Sequence, residues 1–356
     1  MSDDARLADA ALVLGDASPD SAVEVARTAA DVDGLGTQLD ATIEWAVQIA
    51  NRVPLPGQGQ TADRWSALAT AAAMDVGAAR VLEPHLDAVA ILAEAEASGG
   101  LAQGALGSLH VDDHASWGVF AAEGPQRLEA HEDDAGRWLL HGTKSWCSLA
   151  ARLSHALVTA WVSPTTRRLF AVSLRDETVR PLAGPWVARG LSAIVSAAVD
   201  FDDPPAVPVG EADWYLQRPG FHWGGMGVAA VWWGGVSPVA AALARAAARP
   251  DADQIAQMLH GEAAADLWAT QVVLADAARR VDSGSADDMR TLTQRVRAIA
   301  AGSTERVLTL ADHGLGPGPL TTDEDHARRM ADLRIYVRQH HAERDLARLG
   351  RSVAAG

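Results

Sequence analysis

The sequence predicts an α+β multidomain chain. An N-terminal helical domain is expected over 1–105, a middle β-barrel-like domain over 106–211 and a C-terminal four-helix bundle over 212–356. Three observations carry this reading. The first and last thirds are rich in alanine, with apolar residues recurring at steps of three and four. The middle third shows short β-rich runs parted by Asp, Gly and Pro clusters. The length of 356 residues also exceeds the roughly 250–300 residues that one hydrophobic core usually serves.

In the first region Leu82, Leu86, Val89 and Ala93 share a helical face, and Ser98-Gly99-Gly100 is the expected stop. In the middle, runs at 118–121, 137–140, 156–162, 169–172 and 197–201 read as strands. Asp133 to Gly136 and Asp202 to Pro205 read as separators. In the last region one stripe runs Met289, Leu292, Val296, Ile299, Ser303, Val307, Leu310. A second joins Leu267, Trp268, Leu274, Ala275, Ala278 and Val281. Thr322 with Asp325 offers a capping-box helix start. Gly224 to Ala244 carries no charge, but its glycines and Pro238 make it weakly hydrophobic for a bilayer. A buried bundle helix is expected there, with no membrane span.

The formal charge of −16 argues against nucleic acid or an anionic membrane as the main partner. A small anionic molecule stays open, because a few arginines suffice to hold a phosphate. Cys147 is the only cysteine, so no intrachain disulfide forms. The N-terminus is acidic and lacks a basic leader pattern, which with the lone cysteine predicts a cytoplasmic protein. No metal site is expected.

The segment from Gly136 to Ser148 reads GRWLLHGTKSWCS. An indole face such as that of Trp146 suits a flat aromatic ring, and a hydroxyl such as that of Ser148 can donate to a ring nitrogen. The alternative is a strand whose Trp146 fills a barrel core. The spacing resembles the middle-domain signature of the acyl-CoA dehydrogenase superfamily, G-x-x-x-L-x-G-x-K-x-W-I-T. The resemblance implies FAD as cofactor, with Trp146 on the flavin ring and Ser148 near its N5. Val119 to Pro125 is similar to the family's strand ending in T-E-P, which puts Val119, Ala121 and Ala122 along the flavin pyrimidine. The G-S-D turn that follows in the family is absent here. Val199 to Gly210 resembles the segment that closes the β domain. Met330 to Tyr336 is similar to the family's L-x-R-D-x-K-I-x. The turn from His313 to Pro319 stands where members contact the flavin nucleotide of a neighbouring subunit, which implicates His313 and Gly316; Pro317 removes one amide there. The family's R-x-x-F-G is missing, and Arg249 sits roughly where it would begin.

Counting on from Asp332 and Ile335, the resemblance aligns His340 with the glutamate that removes the α-proton of an acyl thioester. A neutral imidazole can serve as such a base near neutral pH. His340 also continues the face of Met330, Leu333 and Val337, which turns it inward. Glu343 is the displaced alternative. His85, among Glu83 to Asp87, is either a second polar group of the pocket wall or a satisfied structural histidine. The resemblance implies an FAD-dependent oxidoreductase dehydrogenating an acyl thioester, a homodimer or homotetramer, passing electrons to an acceptor flavoprotein. A flavin-dependent monooxygenase stays open, because histidine occupies this position in such enzymes of the same fold. A noncatalytic, flavin-poor relative stays open because R-x-x-F-G is lost.

Overall fold

The computed structural model describes residues 10–285 and 288–355; the acidic N-terminus up to residue 9 lies outside it. Among the described residues four helices come first: α1 (Asp20–Ala30), α2 (Leu39–Ala50), α3 (Thr61–Met74) and α4 (Val76–Ala97). Asp75 caps α4 by accepting from the Ala78 amide. The helix ends at Ser98, where Gly99 takes a positive φ, as the sequence suggested. Its buried face holds Leu82 and Leu86 and continues through Ile91 and Ala95; Val89 and Ala93 sit at the margin.

Seven strands follow: β1 (Trp117–Phe120), β2 (Leu128–Glu132), β3 (Trp138–Ser148), β4 (His155–Trp161), β5 (Arg167–Ser173), β6 (Val179–Pro181) and β7 (Ser196–Val209). Antiparallel pairing links β4 to β5, β5 to β7, β7 to β3 and β3 to β2. A short parallel contact between β2 and β4 closes the ring into a five-stranded barrel. β1 runs parallel to β4, and β6 pairs with β7. The barrel interior is filled by side chains such as Leu140, Val158, Phe170, Val172 and Phe201. Alternate residues face outward. Leu157, Leu169, Ala171 and Val209 pack with Ala88, Ile91 and Ala95 of α4 in a second core. This contact fixes which face of α4 overlooks the barrel mouth.

The run from Asp202 to Pro205, expected as a separator, lies inside β7. Asp203 has φ +62°, and the β3–β7 register shifts between Leu139 and His141. A bulge absorbs the prolines without ending the strand.

The C-terminal part comprises a short α5 (Trp214–Gln217), then α6 (Pro219–Ala247), α7 (Gln254–Asp282), α8 (Met289–Leu315), a short α9 (Gly318–Thr322), α10 (Glu324–Tyr336) and α11 (Glu343–Ala355). α6 holds the uncharged segment and lies at the centre, against α3, α7 and α8. By length and composition it could cross a membrane, yet 78% of its most apolar stretch is buried inside the molecule. Two local expectations need correcting. The cap of α10 is Asp323, which accepts from the His326 amide, one residue beyond Thr322. Trp268 is 67% exposed, because α7 packs through Leu259, Ala263, Thr270, Leu274 and Ala278 on another face.

Candidate functional site

A cleft of about 800 Å³ opens between α4, the barrel mouth and the end of α10. Its floor is built by a fault in β3. The β3–β7 register shifts between Lys144 and Cys147, and Trp146 takes φ +62°. The bulge re-aims the side chains. Cys147 turns into the core, while Trp146 stands 60% exposed on the cleft wall. A tryptophan filling the barrel core is therefore excluded. Ser148 follows at the cleft, its Oγ 2.6 Å from Ser196 Oγ.

Lys144, from the same segment, is structural. Its buried Nζ donates to the Thr159 carbonyl at 2.9 Å, to Thr159 Oγ1 at 2.8 Å and to Glu123 Oε1 at 3.1 Å. These bonds clamp the loop after β1 onto β4. The β1–β4 register stops at Phe120, and Ala121 and Ala122 continue along the cleft beside Val119. Five sequence-assigned residues, Val119, Ala121, Ala122, Trp146 and Ser148, thus line one cavity.

The opposite wall holds Arg80, which the sequence did not single out, and Glu83 and Asp87 from the segment in which His85 was the expected wall residue. Arg80, Glu83 and Asp87 sit at steps of three and four on α4 and face the cleft together with Pro84. Arg80 Nη1 lies 3.3 Å from Glu83 Oε2, and Arg80 Nη2 donates to Ser148 Oγ at 3.3 Å. Tyr336 Oη donates to Glu83 Oε2 at 3.2 Å. Burial pushes the Glu83 carboxyl up from its ordinary value, and Arg80 opposes that rise. The signal that could have found this face was three ionisable residues at helical spacing in an alanine-rich helix.

Of the residues assigned as the base, neither lines the cleft. His340 is buried and lines an adjoining chamber of about 610 Å³, with its ring edge-on to Trp232 at 6.5 Å between centroids. Burial lowers its pKa, so the imidazole is neutral at physiological pH. The two cavities share a partition made by Glu83, Asp87, Tyr215, Phe221, Gln339 and His341. Glu343 is exposed at the start of α11 and lines neither cavity. His313 is exposed at the end of α8, and Gly316 caps that helix with φ +63°; both lie apart from the two cavities of this chain. Arg249 forms an exposed ion pair with Asp251 at 3.3 Å.

His85 is the satisfied structural histidine. It is 5% exposed, and its Nδ1 accepts from the Trp117 amide at 3.3 Å. Burial, helped by Arg64, lowers its pKa to about 4. The folded value lies below the unfolded one, so protonation favours the unfolded chain. This group's contribution is complete above pH 6.5 and is lost as pH falls from there toward 4, by roughly 3 kcal/mol. Chemical unfolding across that window should reveal the loss. His85→Gln, which keeps an acceptor, should remove this component; an identical pH dependence in the variant would refute the assignment.

No protein-family model matches the sequence, and no curated protein matches it. Solved structures do. KijD3 in complex with FMN and dTDP-3-amino-2,3,6-trideoxy-4-keto-3-methyl-D-glucose superposes with a TM-score of 0.75 at 20% identity, over 94% of this chain and 90% of that one. Dibenzothiophene monooxygenase TdsC from Paenibacillus sp. A11-2 gives 0.71 at 16% identity, over 97% and 96%. The FAD complex of PigA gives 0.77 at 14% identity, over 99% and 98%. At such identities the likeness establishes that this chain shares its fold, over the stretches covered, with these three proteins.

Proposed function

We propose that the chain is a flavin-dependent oxidoreductase. The isoalloxazine ring lies in the cleft against Trp146, and a small-molecule substrate enters from the adjoining chamber. The observation that carries this reading is Trp146 itself: a large indole held exposed on a left-handed bulge, in the same cavity as Ala121, Ala122 and Ser148. An exposed aromatic at a strained backbone position on a cavity wall is costly unless something flat covers it. The cavity volume of about 800 Å³ falls within the range of cofactor sites. The fold shared with FMN- and FAD-bound structures supports the same reading, as does the sequence resemblance to the acyl-CoA dehydrogenase superfamily.

A bound flavin would supply electron transfer to or from the substrate. The chain's own residues would do the rest. Trp146 would stack on the ring, Ser148 would offer a hydroxyl to a ring nitrogen, and the backbone of Val119, Ala121 and Ala122 would meet the pyrimidine edge. The cleft of one chain suits a mononucleotide such as FMN. The FAD expected from the sequence would need a second copy to bring His313 and Gly316 near the nucleotide, as a homodimer or homotetramer would. A reduced Cys147 suits a cytoplasmic setting.

Oxygen-dependent chemistry, monooxygenation, fits this site better than thioester dehydrogenation. A dehydrogenase base must reach the carbon that lies under the flavin. His340 opens into the adjoining chamber, and Glu343 is exposed. The likeness to a protein described as a monooxygenase points the same way. Acyl-thioester dehydrogenation with an electron-acceptor flavoprotein is the second reading, favoured by the signature around Trp146.

Titration with FMN and FAD, followed by visible absorbance, tests the cofactor. Trp146→Ala should weaken binding about threefold to tenfold, the worth of one aromatic pair. A protein that binds neither flavin would overturn the proposal in favour of a noncatalytic relative. Anaerobic addition of acyl-CoAs should leave the bound flavin oxidised. Rapid bleaching by a thioester would select the dehydrogenase instead.

A further inference from the structure

We propose that Glu83 is the acid–base residue of this site, giving a proton to oxygen as dioxygen is reduced and recovering it afterwards. The inference rests on the flavin reading above. Glu83 lies on the partition and lines both the cleft and the adjoining chamber, so its carboxyl can serve atoms on either side. Its side chain is 14% exposed and is held from two directions, by Arg80 from its own helix and by Tyr336 from α10. Arg80 spans from Glu83 to Ser148, which ties the carboxyl to the wall assigned to the flavin.

The competing groups have other partners; His341, also on the partition, has its Nδ1 3.5 Å from Asp345. Asp87 pairs with the buried Arg218 at 3.6 Å, His340 faces only the adjoining chamber, and Glu123 is bound by Lys144 and Arg167. The charged and titratable groups that act on Glu83 are Arg80 and Asp87 on α4, Tyr336 on α10 and Arg297 on α8. Tyr336 keeps its phenolic proton because burial raises its pKa, so it remains a donor to Glu83. Burial and Asp87 favour the protonated carboxyl, while the two arginines limit that preference. Arg80 and the Tyr336 hydroxyl hold this raised carboxyl in place between the two cavities.

Without substrate, reduced flavin gives two electrons and two protons to dioxygen, yielding oxidised flavin and hydrogen peroxide. With substrate, the O–O bond breaks and one oxygen bonds to the substrate, which is oxidised. The other oxygen leaves as water, carrying the proton from Glu83. The water's second proton comes from the reduced flavin, whose other proton returns to Glu83; flavin and substrate each supply two of the four electrons.

The test uses the full chain loaded with chemically reduced FMN. Stopped-flow absorbance follows its reoxidation by dioxygen across pH, in wild type, Glu83→Gln and Glu83→Asp. Infrared difference spectra of the flavin-free proteins give a second readout. Glu83→Gln should bind flavin as wild type does and reoxidise it roughly 10²–10⁴-fold more slowly, with a flattened pH profile. It should also lose a protonated-carboxyl band that wild type keeps above the usual carboxylate range. Glu83→Asp should retain a pH-dependent rate. Flavin binding with an unchanged rate and profile in Glu83→Gln would overturn the role of Glu83 alone. Failure of wild type to bind flavin would bring down the flavin reading and this proposal together.

Discussion

Replacing Arg218 by alanine is expected to lower the stability of the folded chain by roughly 3–5 kcal/mol, toward the lower end of that range. Arg218 is 3% exposed and precedes the first turn of α6. Its Nη1 donates to Glu94 at 2.7 Å, and its Nη2 lies 3.6 Å from Asp87, so it fastens α6 to α4. It also rests over the Tyr215 ring, 5.3 Å from the centroid. Removal leaves two carboxylates facing each other without their cation. The Asp87 and Glu94 side chains are each 22% exposed, so water offsets part of the loss. Denaturant unfolding should show a lower midpoint with an unchanged slope. A loss below about 1 kcal/mol would mean that the pair behaves as a surface contact.

The other large effect is expected at Gly234 on α6. A Cβ there would lie 2.0 Å from the Ala69 carbonyl oxygen and 2.5 Å from the Ala69 carbon atoms. These are backbone atoms of α3, which no rotamer change can move. Gly234→Ala should therefore cost about 3 kcal/mol, at the upper end of overpacking penalties, and should push α6 away from α3. Gly261 on α7 is the control, because nothing lies within 4 Å of its added Cβ. Gly261→Ala should stabilise by about 0.5–1 kcal/mol through helix propensity. Thermal melts of both variants decide the matter, and similar behaviour of the two would refute the close approach of α6 and α3.

Much of this architecture was written in local pattern. The strands at 156–162 and 169–172 announced themselves because they are buried on both faces, and the stop of α4 because a glycine needs a positive φ there. β2 escaped because its outward positions carry Glu129, His131 and Glu132, so it reads as loop. The bulge at Asp203 escaped because two prolines usually end a strand. Within the site, the spacing around Lys144, Trp146 and Ser148 was legible because one bulged strand holds all three. Arg80, Glu83 and Asp87 were not, since charged residues on a helix ordinarily face water. Only the docking of α4 against Leu157, Leu169 and Val209 decides that this face overlooks a cavity. His340 was correctly read as inward. The cavity it meets was not legible, because the 3₁₀ turn Val337–Gln339 breaks the α-helical step that the count assumed.

The bulge that turns Trp146 outward has a second effect, on its neighbour. Cys147 is 1% exposed, its Sγ lies 3.3 Å from the Lys144 carbonyl oxygen, and burial pushes its thiol pKa up to about 12. Alkylating reagents attack thiolates, and this thiol is neither ionised nor reachable in the folded state. For attaching a fluorophore or spin label the native chain is therefore already cysteine-free in practice. A cysteine placed at an exposed position such as Val187 or Trp268 would react alone, and distances within the molecule could be read without first removing a native residue.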